Sequence, residues 1–514
     1  MAAFLRIAFQ AARYATLTLI ALASAALGDS LLQSPSAVYI AFDPTLFLRD
    51  GSTLALLLSV AALAGGTLDQ AGRPRWLAGA TRALLLALLF VALFQVLRRP
   101  LAAALPLGFA LKAGLLLGGL MAAGWVASRA EVASQWRVAT ACALTLVAMY
   151  LLQPGMPGYL AQIVIGQHTA PPAPTKRAAE TGVRRTLVVI LDEWDQEVST
   201  REGLFDTPLF RELLGQSFVS TQAMPAGPST LSSVPGMMTG RRFGPVERGG
   251  AGYLVAADGT RFDVGVPSLF SDLQARDHPY AVVGFYHDYC AVVPAPRSCH
   301  AEPVRFFPGW RASLARAFQQ QRDFDNPYTD FLRQWSGTYT RLRHAALQAA
   351  QDPGNTVVWL HLNVPHPPIA VAGATPNSLI EDYRANLAEM TQLLGELRAA
   401  VLKAGPTSAM VLTSDHWLRE KELWSAIYEQ QRGSGAGRAG KTGDQHVPFI
   451  VWFSDAIRPA TLDQPISTTA LRDLVPALVE RRIQTPADVA AFFQSRNGDL
   501  VSPFRAASDS ASVH

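Results

Sequence analysis

The chain has 514 residues, of which 49% are hydrophobic and only 16% are charged, and its formal net charge is +4. This composition is too apolar for an ordinary soluble protein, and the length is too great for a single domain. The small positive charge requires no nucleic acid as a partner, because much of the excess comes from arginines in the apolar N-terminal part.

The N-terminal part, residues 1–160, contains apolar stretches that predict an all-α transmembrane bundle of about five helices, each of about 17 to 25 residues. The first stretch lacks a clear cleavage site, so we interpret it as a retained anchor. The second is short, and the apolar segment before it could instead be a re-entrant piece. The stretches centre on residues 16–28, 53–66, 83–97, 111–127 and 138–152.

Basic residues near the ends of these stretches predict the orientation of the bundle. The side of the N-terminus carries more arginines than the other side, so we expect it to be cytoplasmic. Because the number of spans is odd, everything after residue 160 is then expected outside the cytoplasm. The sequence therefore predicts a multi-pass protein of the cell inner (plasma) membrane, with a periplasmic or otherwise extracytoplasmic domain.

The composition changes after the last apolar stretch. Residues 161–185 are rich in Pro, Ala and basic residues, which is typical of an exposed linker. Residues 186–490 have the composition of a soluble α/β domain, and residues 491–514 are expected to form a disordered C-terminal tail. Two cysteines in the soluble part, Cys290 and Cys299, could form a small loop disulfide or remain unpaired thiols.

Short apolar runs alternate with helical segments throughout the soluble domain. The runs TLVVIL, YAVVGFY, NTVVWLHL, SAMVLTS and VPFIVWF each lie next to His, Asp or both. Continuous apolar runs of this length are typical of parallel strands buried on both faces. The alternation predicts an α/β fold with a mostly parallel sheet covered by helices, in which ligands bind at the carboxyl ends of the strands.

Several metal-ligating side chains lie at these strand ends. Asp192 follows the first run, and the adjacent Asp415 and His416 follow the fourth, so we expect these three to bind one divalent metal. Taken alone, each could also be a helix cap or an ion-pair partner. Three histidines, His361, His366 and His446, are expected to contact the substrate, although a single histidine in such a place is more often a hydrogen-bonded structural residue.

The segment PAGPSTLSSVPGMMTGRR offers a nucleophile. A Gly/Pro turn leads into hydroxyl residues and then into a run that can begin a helix, which would place a hydroxyl at the positive helix N-terminus next to a metal. A plain Ser/Thr helix cap explains the local pattern equally well.

These motifs together resemble the alkaline phosphatase superfamily, and in particular its sulfatase-like membrane branch. The Thr-Gly-Arg at residues 239–241 places the nucleophile of that family at Thr230, with Ser229 as the alternative. The segment TSDH is similar to the family's metal-binding segment, and LHLNVPHPP is similar to a segment of phosphoethanolamine transferases that places a substrate-binding histidine at His366. HVPFIVW resembles the strand whose first histidine, here His446, contacts the phosphate or a second metal.

The chain also departs from this family. Sulfatases need a Cys or Ser that is converted to formylglycine, and Thr230 cannot be converted in this way, which disfavours sulfate ester hydrolysis. Trp417 replaces the usual Gly after the Asp-His pair. The phosphoethanolamine transferases use Glu as their first metal ligand, whereas the register here favours Asp192 over Glu193.

The resemblance implies a membrane-anchored transferase that uses a divalent metal, zinc or manganese. Phosphoethanolamine transferases and lipoteichoic acid synthases suggest a phospholipid donor, an envelope glycan or lipid acceptor, and a phosphothreonine intermediate at Thr230. His366 and His446 would hold the phosphoryl oxygens and protonate the leaving group. Two alternatives remain open: a phosphodiesterase or other ester hydrolase with the same site, and a non-catalytic membrane protein on a retired fold.

The stretch GAGRAGKT matches the phosphate-binding pattern of ATPases. A phosphate loop needs a buried strand before it and a helix after it. Here the preceding residues do not form an apolar run, and a strand is expected to follow. We therefore expect a flexible loop and no ATP site.

Overall fold

The computed structural model describes residues 182–243, 266–303, 329–370, 378–405, 407–419 and 445–496, together with 16–17, 20, 86, 137–145, 256, 259, 262 and 424. Most of the predicted bundle, most of the linker 161–185, the Gly-rich loop and residues beyond 496 lie outside this part. Residues 137–145, at the start of the fifth apolar stretch, are helical. Within the described part of the chain, no helix is both long and apolar enough to span a membrane.

The soluble domain is built on one sheet of nine strands. All five predicted runs form strands, which confirms the expected α/β sheet. Four strands were not predicted, because β2 and β4 mix polar and apolar residues and β8 and β9 have two residues each. The strands are β1 Arg185–Leu191, β2 Ser217–Met224, β3 Tyr280–Tyr286, β4 Ser298–Pro303, β5 Val357–Leu362, β6 Ser408–Ser414, β7 Val447–Phe453, β8 Ala460–Thr461 and β9 Ile466–Ser467.

The sheet order is β4-β3-β5-β1-β6-β7-β2-β8, and β9 pairs with β2. Strands β4, β3, β5, β1 and β6 are parallel to one another. Strand β7 runs antiparallel to both β6 and β2. The carboxyl ends of the five parallel strands therefore meet at one edge, and β7 begins at that same edge.

Helices cover both faces of the sheet, as the continuous apolar strands require. On one face, alternate residues such as Val188 and Ile190 of β1 pack against α3, α4, α8 and α9. On the other, Leu187, Val189 and Leu191 pack against α1, α2, α6 and α7. The helices are α1 Gln196–Arg201, α2 Pro208–Leu214, α3 Thr230–Thr239, α4 Leu269–Ala275, α5 Tyr289–Val292, α6 Thr329–Gln351, α7 Leu379–Ala404, α8 Leu471–Val479 and α9 Pro486–Gln494.

The folded domain extends past both predicted boundaries. At the start, β1 includes Arg185, and the buried Arg184 donates to the carbonyl oxygens of Ile483 and Gln484 at 3.1 and 3.2 Å. At the end, α9 continues beyond residue 490 because Phe493 is buried in the core. The linker and the tail therefore each contribute residues to the fold.

Cys290 and Cys299 form a disulfide. Of the two possibilities left open by the sequence, paired or free thiols, the structure shows the pair. The bond joins α5 to the edge strand β4, which pairs with β3. It therefore fixes the segment that follows the carboxyl end of β3.

Candidate active site

The site lies at the carboxyl edge of the parallel strands. Leu191 at the end of β1 is paired with Ser414 at the end of β6. Asp192 and Asp415 directly follow these residues and are buried side by side. The hydroxyl of Ser414 donates to the Leu191 carbonyl at 2.6 Å, which links the two strand ends. The structure therefore brings together the two carboxylates that the sequence placed at separate strand ends.

Thr230 is the first residue of α3, and its hydroxyl oxygen lies 3.3 Å from Nε2 of His416. The Nδ1 atom of His416 lies 2.9 Å from the Trp417 carbonyl, so it carries the proton and leaves Nε2 as the acceptor for the Thr230 hydroxyl. The Oγ of Ser229 instead lies 3.3 Å from the Oγ of Ser232. The local geometry thus favours Thr230 over Ser229 as the residue that faces the site.

Three buried side chains could hold a metal ion. One ligand atom each of Asp192, His361 and Asp415 lies within 4.8 Å of the others. The same residues carry buried atoms without a hydrogen-bond partner, namely Asp192 Oδ1, His361 Nε2 and Asp415 Oδ2. Buried polar atoms are normally paired, so this cluster fits a divalent cation.

The position of His361 differs from its predicted role in substrate binding. His361 lies within β5 rather than after it, and its Nε2 atom is 3.9 Å from Asp415 Oδ2. Its Nδ1 atom is held by the Tyr289 hydroxyl at 2.8 Å and the Phe285 carbonyl at 3.0 Å. This arrangement orients Nε2 toward the carboxylates, as in metal sites where the second ring nitrogen is fixed by a hydrogen bond.

The hydrogen bond between Tyr289 and His361 requires a glycine in the neighbouring strand. Gly284 of β3 is paired with His361 of β5, and a Cβ at Gly284 would lie 2.2 Å from the ring of Tyr289. Only a glycine therefore lets Tyr289 pack over β3 and reach His361.

Replacing Gly284 by alanine is expected to displace Tyr289 and to lower metal affinity by about 10- to 100-fold, the usual cost of losing a partner of a metal ligand. Metal titration of the purified protein would measure this change. Gly405→Ala is the matched control, because a Cβ there meets nothing within 4 Å. Equal metal affinity in the two variants would contradict the role of Tyr289.

Glu193 is buried beside Asp192 but faces a different set of partners. Its backbone is in the left-handed region, with φ 57°. Its carboxylate accepts hydrogen bonds from Arg419 at 3.0 and 3.1 Å and from Nε1 of Trp424 at 2.6 Å. Because both of its oxygens are engaged in this way, the geometry agrees with the choice of Asp192 over Glu193 for the metal.

The pKa values of the two carboxylates, Asp192 and Asp415, are shifted in opposite directions. Burial raises the pKa of Asp192 well above its usual range, and the negative charges of Asp415 and Glu193 raise it further. Burial also opposes ionisation of Asp415, but His416, His361 and the Thr230 hydroxyl outweigh it and lower the pKa of Asp415 to about 2. Burial lowers the pKa of both His361 and His416, which keeps these imidazoles neutral, as metal coordination requires.

His366 lies in the loop after β5, at the wall of the site. Its ring packs between those of Trp335 and Trp424, with centroids 4.7 and 5.0 Å away, and its Nε2 atom is 3.9 Å from Glu193 Oε2. The buried amide of Asn386 donates to the His366 carbonyl at 3.0 Å and so fixes this loop on α7. Burial and the nearby Arg419 lower the pKa of His366 to about 3, so the ring is neutral at pH 7 and is not a ready proton donor.

His446 immediately precedes β7, and its carbonyl accepts a hydrogen bond from the Gln196 amide at 3.3 Å. Because β7 is antiparallel to β6, this start lies at the carboxyl edge of the parallel strands. The other end of β7 lies at the opposite edge of the sheet, where Asp455 pairs with Arg184 at 3.2 Å.

Sequence reasoning missed two residues of the site, His287 and Tyr289, and the role of a third, Glu193. His287 contacts the Thr230 carbonyl through Nε2 at 3.0 Å, and it could have been found, since it follows β3 in the same strand-then-histidine pattern. Tyr289 and the left-handed Glu193 gave no local signal, because their roles depend on contacts between distant segments.

Comparison with known proteins agrees with this architecture. The family model for sulfatases matches residues 184–481, which is more than half of the chain. No curated protein matches the chain.

Solved structures show only distant similarity. The lipoteichoic acid synthase LtaP from Listeria monocytogenes is 13% identical, with a TM-score of 0.36 over 58% of this chain and 72% of that one. The C-terminal periplasmic domain of EcEptC from Escherichia coli is 12% identical, with a TM-score of 0.36 over 60% and 86%. The PsFucS1 sulfatase from Pseudoalteromonas sp. is 14% identical, with a TM-score of 0.38 over 58% and 67%.

The matched segment contains the whole sheet and all the residues that form the site, from Asp192 to His446. The alkaline phosphatase-like fold expected from the motifs is confirmed, and the chain belongs to the sulfatase family.

Proposed function

We propose that the protein is a membrane-anchored, metal-dependent transferase that moves a phospho-head group from a phospholipid to an acceptor in the cell envelope. The head group is of the phosphoethanolamine or phosphoglycerol type, and the acceptor is a glycan or a lipid. The observation that carries the proposal is the Thr230 hydroxyl, 3.3 Å from His416 Nε2 at the N-terminus of α3 and next to the buried carboxylate cluster.

In the first step, the Oγ1 atom of Thr230 bonds to phosphorus, and the bond from phosphorus to the lipid alcohol breaks. The hydroxyl proton passes to His416 Nε2, which already accepts its hydrogen bond. The head group is then a phosphothreonine ester. In the second step, the oxygen of the acceptor hydroxyl bonds to phosphorus and its proton passes to His446, the bond to Oγ1 breaks, and Thr230 recovers its proton from His416 Nε2.

Asp192, His361 and Asp415 would hold the divalent metal. His416, which the sequence placed among the metal ligands, lies beside this cluster, with its Nε2 atom 3.4 Å from Asp415 Oδ2 and 3.3 Å from the Thr230 hydroxyl. A set of two carboxylates and an imidazole suits zinc or manganese. When bound, such an ion lowers the pKa of a nearby hydroxyl and offsets phosphoryl charge. His366 contributes to binding as a neutral residue, and His446 is assigned the proton of the departing lipid alcohol.

A threonine at the nucleophile position supports phosphoryl rather than sulfate transfer. Formylglycine is made from Cys or Ser, and the residue that faces the site here is Thr230. An unmodified hydroxyl can still form a phosphoester and release it to a second alcohol.

The apolar stretches before residue 160 support a multi-pass protein of the cell inner membrane. The Cys290–Cys299 disulfide supports an extracytoplasmic domain, because such bonds persist in oxidising compartments. In that compartment the partners are membrane phospholipids and envelope glycans or lipids, and neither ATP nor nucleic acid is expected.

The disulfide gives a test of this compartment. Replacing Cys290 by serine is expected to lower the free energy of unfolding by about 2–3 kcal/mol, the chain-entropy value for a short loop. Urea unfolding of the variant and of the wild type would measure the change. A reducing agent should have the same effect on the wild type and none on the variant. Free thiols at both positions in protein taken from cells would contradict the extracytoplasmic placement.

The proposal is tested with the full-length protein in vesicles that contain phosphatidylethanolamine or phosphatidylglycerol labelled in the head group. In the absence of any acceptor we expect labelled wild-type protein, with the label on the peptide that contains Thr230, and release of diacylglycerol. Absence of both from metal-loaded protein with either lipid would overturn the proposal.

The same experiment separates transfer from hydrolysis. A transferase moves the label to an envelope extract and leaves little free head group in water. If the label appears only as free head group with every acceptor preparation, the protein is a phosphodiesterase with the same nucleophile.

A further inference from the structure

Three neighbouring parallel strands end in register at the site. Leu191 of β1 is paired with Leu362 of β5 and with Ser414 of β6. The pairing of β1 with β5 continues one step, because the Asp192 amide donates to the Leu362 carbonyl at 2.9 Å. The residues that follow the paired ones are Asp192, Asp415 and Asn363, so Asn363 lies in the same row as the two carboxylates.

The alternation of the chain also places Asn363 on the face of the reacting groups. Its neighbours Leu362 and Val364 both belong to the core on the opposite face, beneath α7. Successive side chains of an extended segment point to opposite faces. Asn363 is therefore on the same face as His361, which is also the face that α3 and Thr230 cover.

The carboxamide of Asn363 is fully buried, and neither Oδ1 nor Nδ2 has a hydrogen-bond partner. Other buried asparagines of the described segments have partners: Asn386 donates to three carbonyls and Asn355 donates to the Ala349 carbonyl. A buried amide with both ends unpaired is unfavourable and uncommon in native proteins. A group of this kind beside a reacting centre is explained if a ligand supplies the missing hydrogen bonds.

We propose that Asn363 binds the phosphoryl group of the substrate. This inference rests on the proposed function and adds a substrate-binding residue to it. The Nδ2 group donates to a non-bridging oxygen of the phosphodiester, and Oδ1 accepts a hydrogen bond from the hydroxyl of the acceptor. A neutral donor suits this position, because a lysine or arginine there would pair with Asp192 and compete with the metal.

The inference is tested with the variant Asn363→Leu, which keeps the branched shape of the side chain and removes both polar atoms. The probe is inorganic phosphate, titrated into metal-loaded protein. We expect phosphate affinity to fall at least about tenfold, since a hydrogen bond to a charged group is lost. We expect the metal content to stay the same and Tm not to fall, because no internal hydrogen bond is removed.

The matched control is Asn355→Leu, a buried asparagine at the opposite edge of the sheet. It should lower Tm, because the bond to Ala349 is lost, and leave phosphate affinity unchanged. Unchanged phosphate affinity in Asn363→Leu would overturn the inference and leave the proposed transfer reaction to its own assay. Loss of metal from Asn363→Leu would overturn it in favour of a metal ligand. If the wild type does not bind phosphate at all, the proposed function fails with it.

Discussion

Replacing Thr230 by valine is expected to lower the rate of phospho-transfer by about 10³-fold or more, while the fold is retained. Valine has the shape of threonine without the hydroxyl, so it removes the nucleophile and little else. The buried hydroxyl of Thr230 lies 3.3 Å from His416 Nε2 and also hydrogen-bonds the Asp415 side chain. The loss of stability should therefore be about 1 kcal/mol. Turnover of a chromogenic phosphodiester by the metal-loaded protein, with thermal unfolding in parallel, measures both quantities.

Two further variants identify which hydroxyl, that of Thr230 or that of Ser229, is the nucleophile. Thr230→Ser keeps a hydroxyl and should retain part of the activity, whereas Ser229→Ala should retain most of it, because Ser229 contacts Ser232 rather than the site. A loss in Ser229→Ala as large as that in Thr230→Val would show that the register of the nucleophile is wrong.

The sheet was predictable because its central strands are buried on both faces. Strand β1 is buried at all seven positions, and residues 187–191 of it appear in the sequence as the unbroken apolar run LVVIL. The direction of β7 was not predictable, since the same apolar run suits either direction in a sheet. Only that direction explains why His446 lies at the site edge and Asp455 at the opposite edge.

The candidate site was predictable where its residues follow strands directly, as Asp192 and Asp415 do. The role of His361 could not be predicted, because it depends on a hydrogen bond from Tyr289. That bond in turn requires Gly284 of the neighbouring strand, which leaves room for the Tyr289 ring. Contacts between segments that are far apart in sequence leave no local pattern. The role of Glu193 also leaves no local pattern, because its left-handed backbone and its hydrogen bond from Arg419 exist only in the folded chain.

Replacing Asp192 by asparagine is expected to remove the metal and to reverse the effect of metal on stability. In the metal-free protein, Asp192 is a buried carboxyl beside two other carboxyls, and burial and their charges raise its pKa. Its Oδ1 atom has no hydrogen-bond partner. The asparagine removes this charge without removing a hydrogen bond to Oδ1, so the metal-free variant should be at least as stable as the metal-free wild type.

The metal-loaded wild type should gain about 4 kcal/mol when free metal is about a thousand times its dissociation constant. Elemental analysis and thermal unfolding with and without a chelator would measure the metal content and this gain. A chelator should lower the Tm of the wild type and leave that of Asp192→Asn unchanged.

Glu212→Gln, which alters an exposed carboxylate on α2 paired with Arg398, is the control and should keep both the metal and the chelator response. The cluster would not be a metal site if Asp192→Asn retained the metal, or if the chelated variant were clearly less stable than the chelated wild type. A buried pair of acidic side chains that destabilises the empty protein and stabilises the loaded one is evidence that its sequence was selected for the cation, since a structural pair would show the opposite sign.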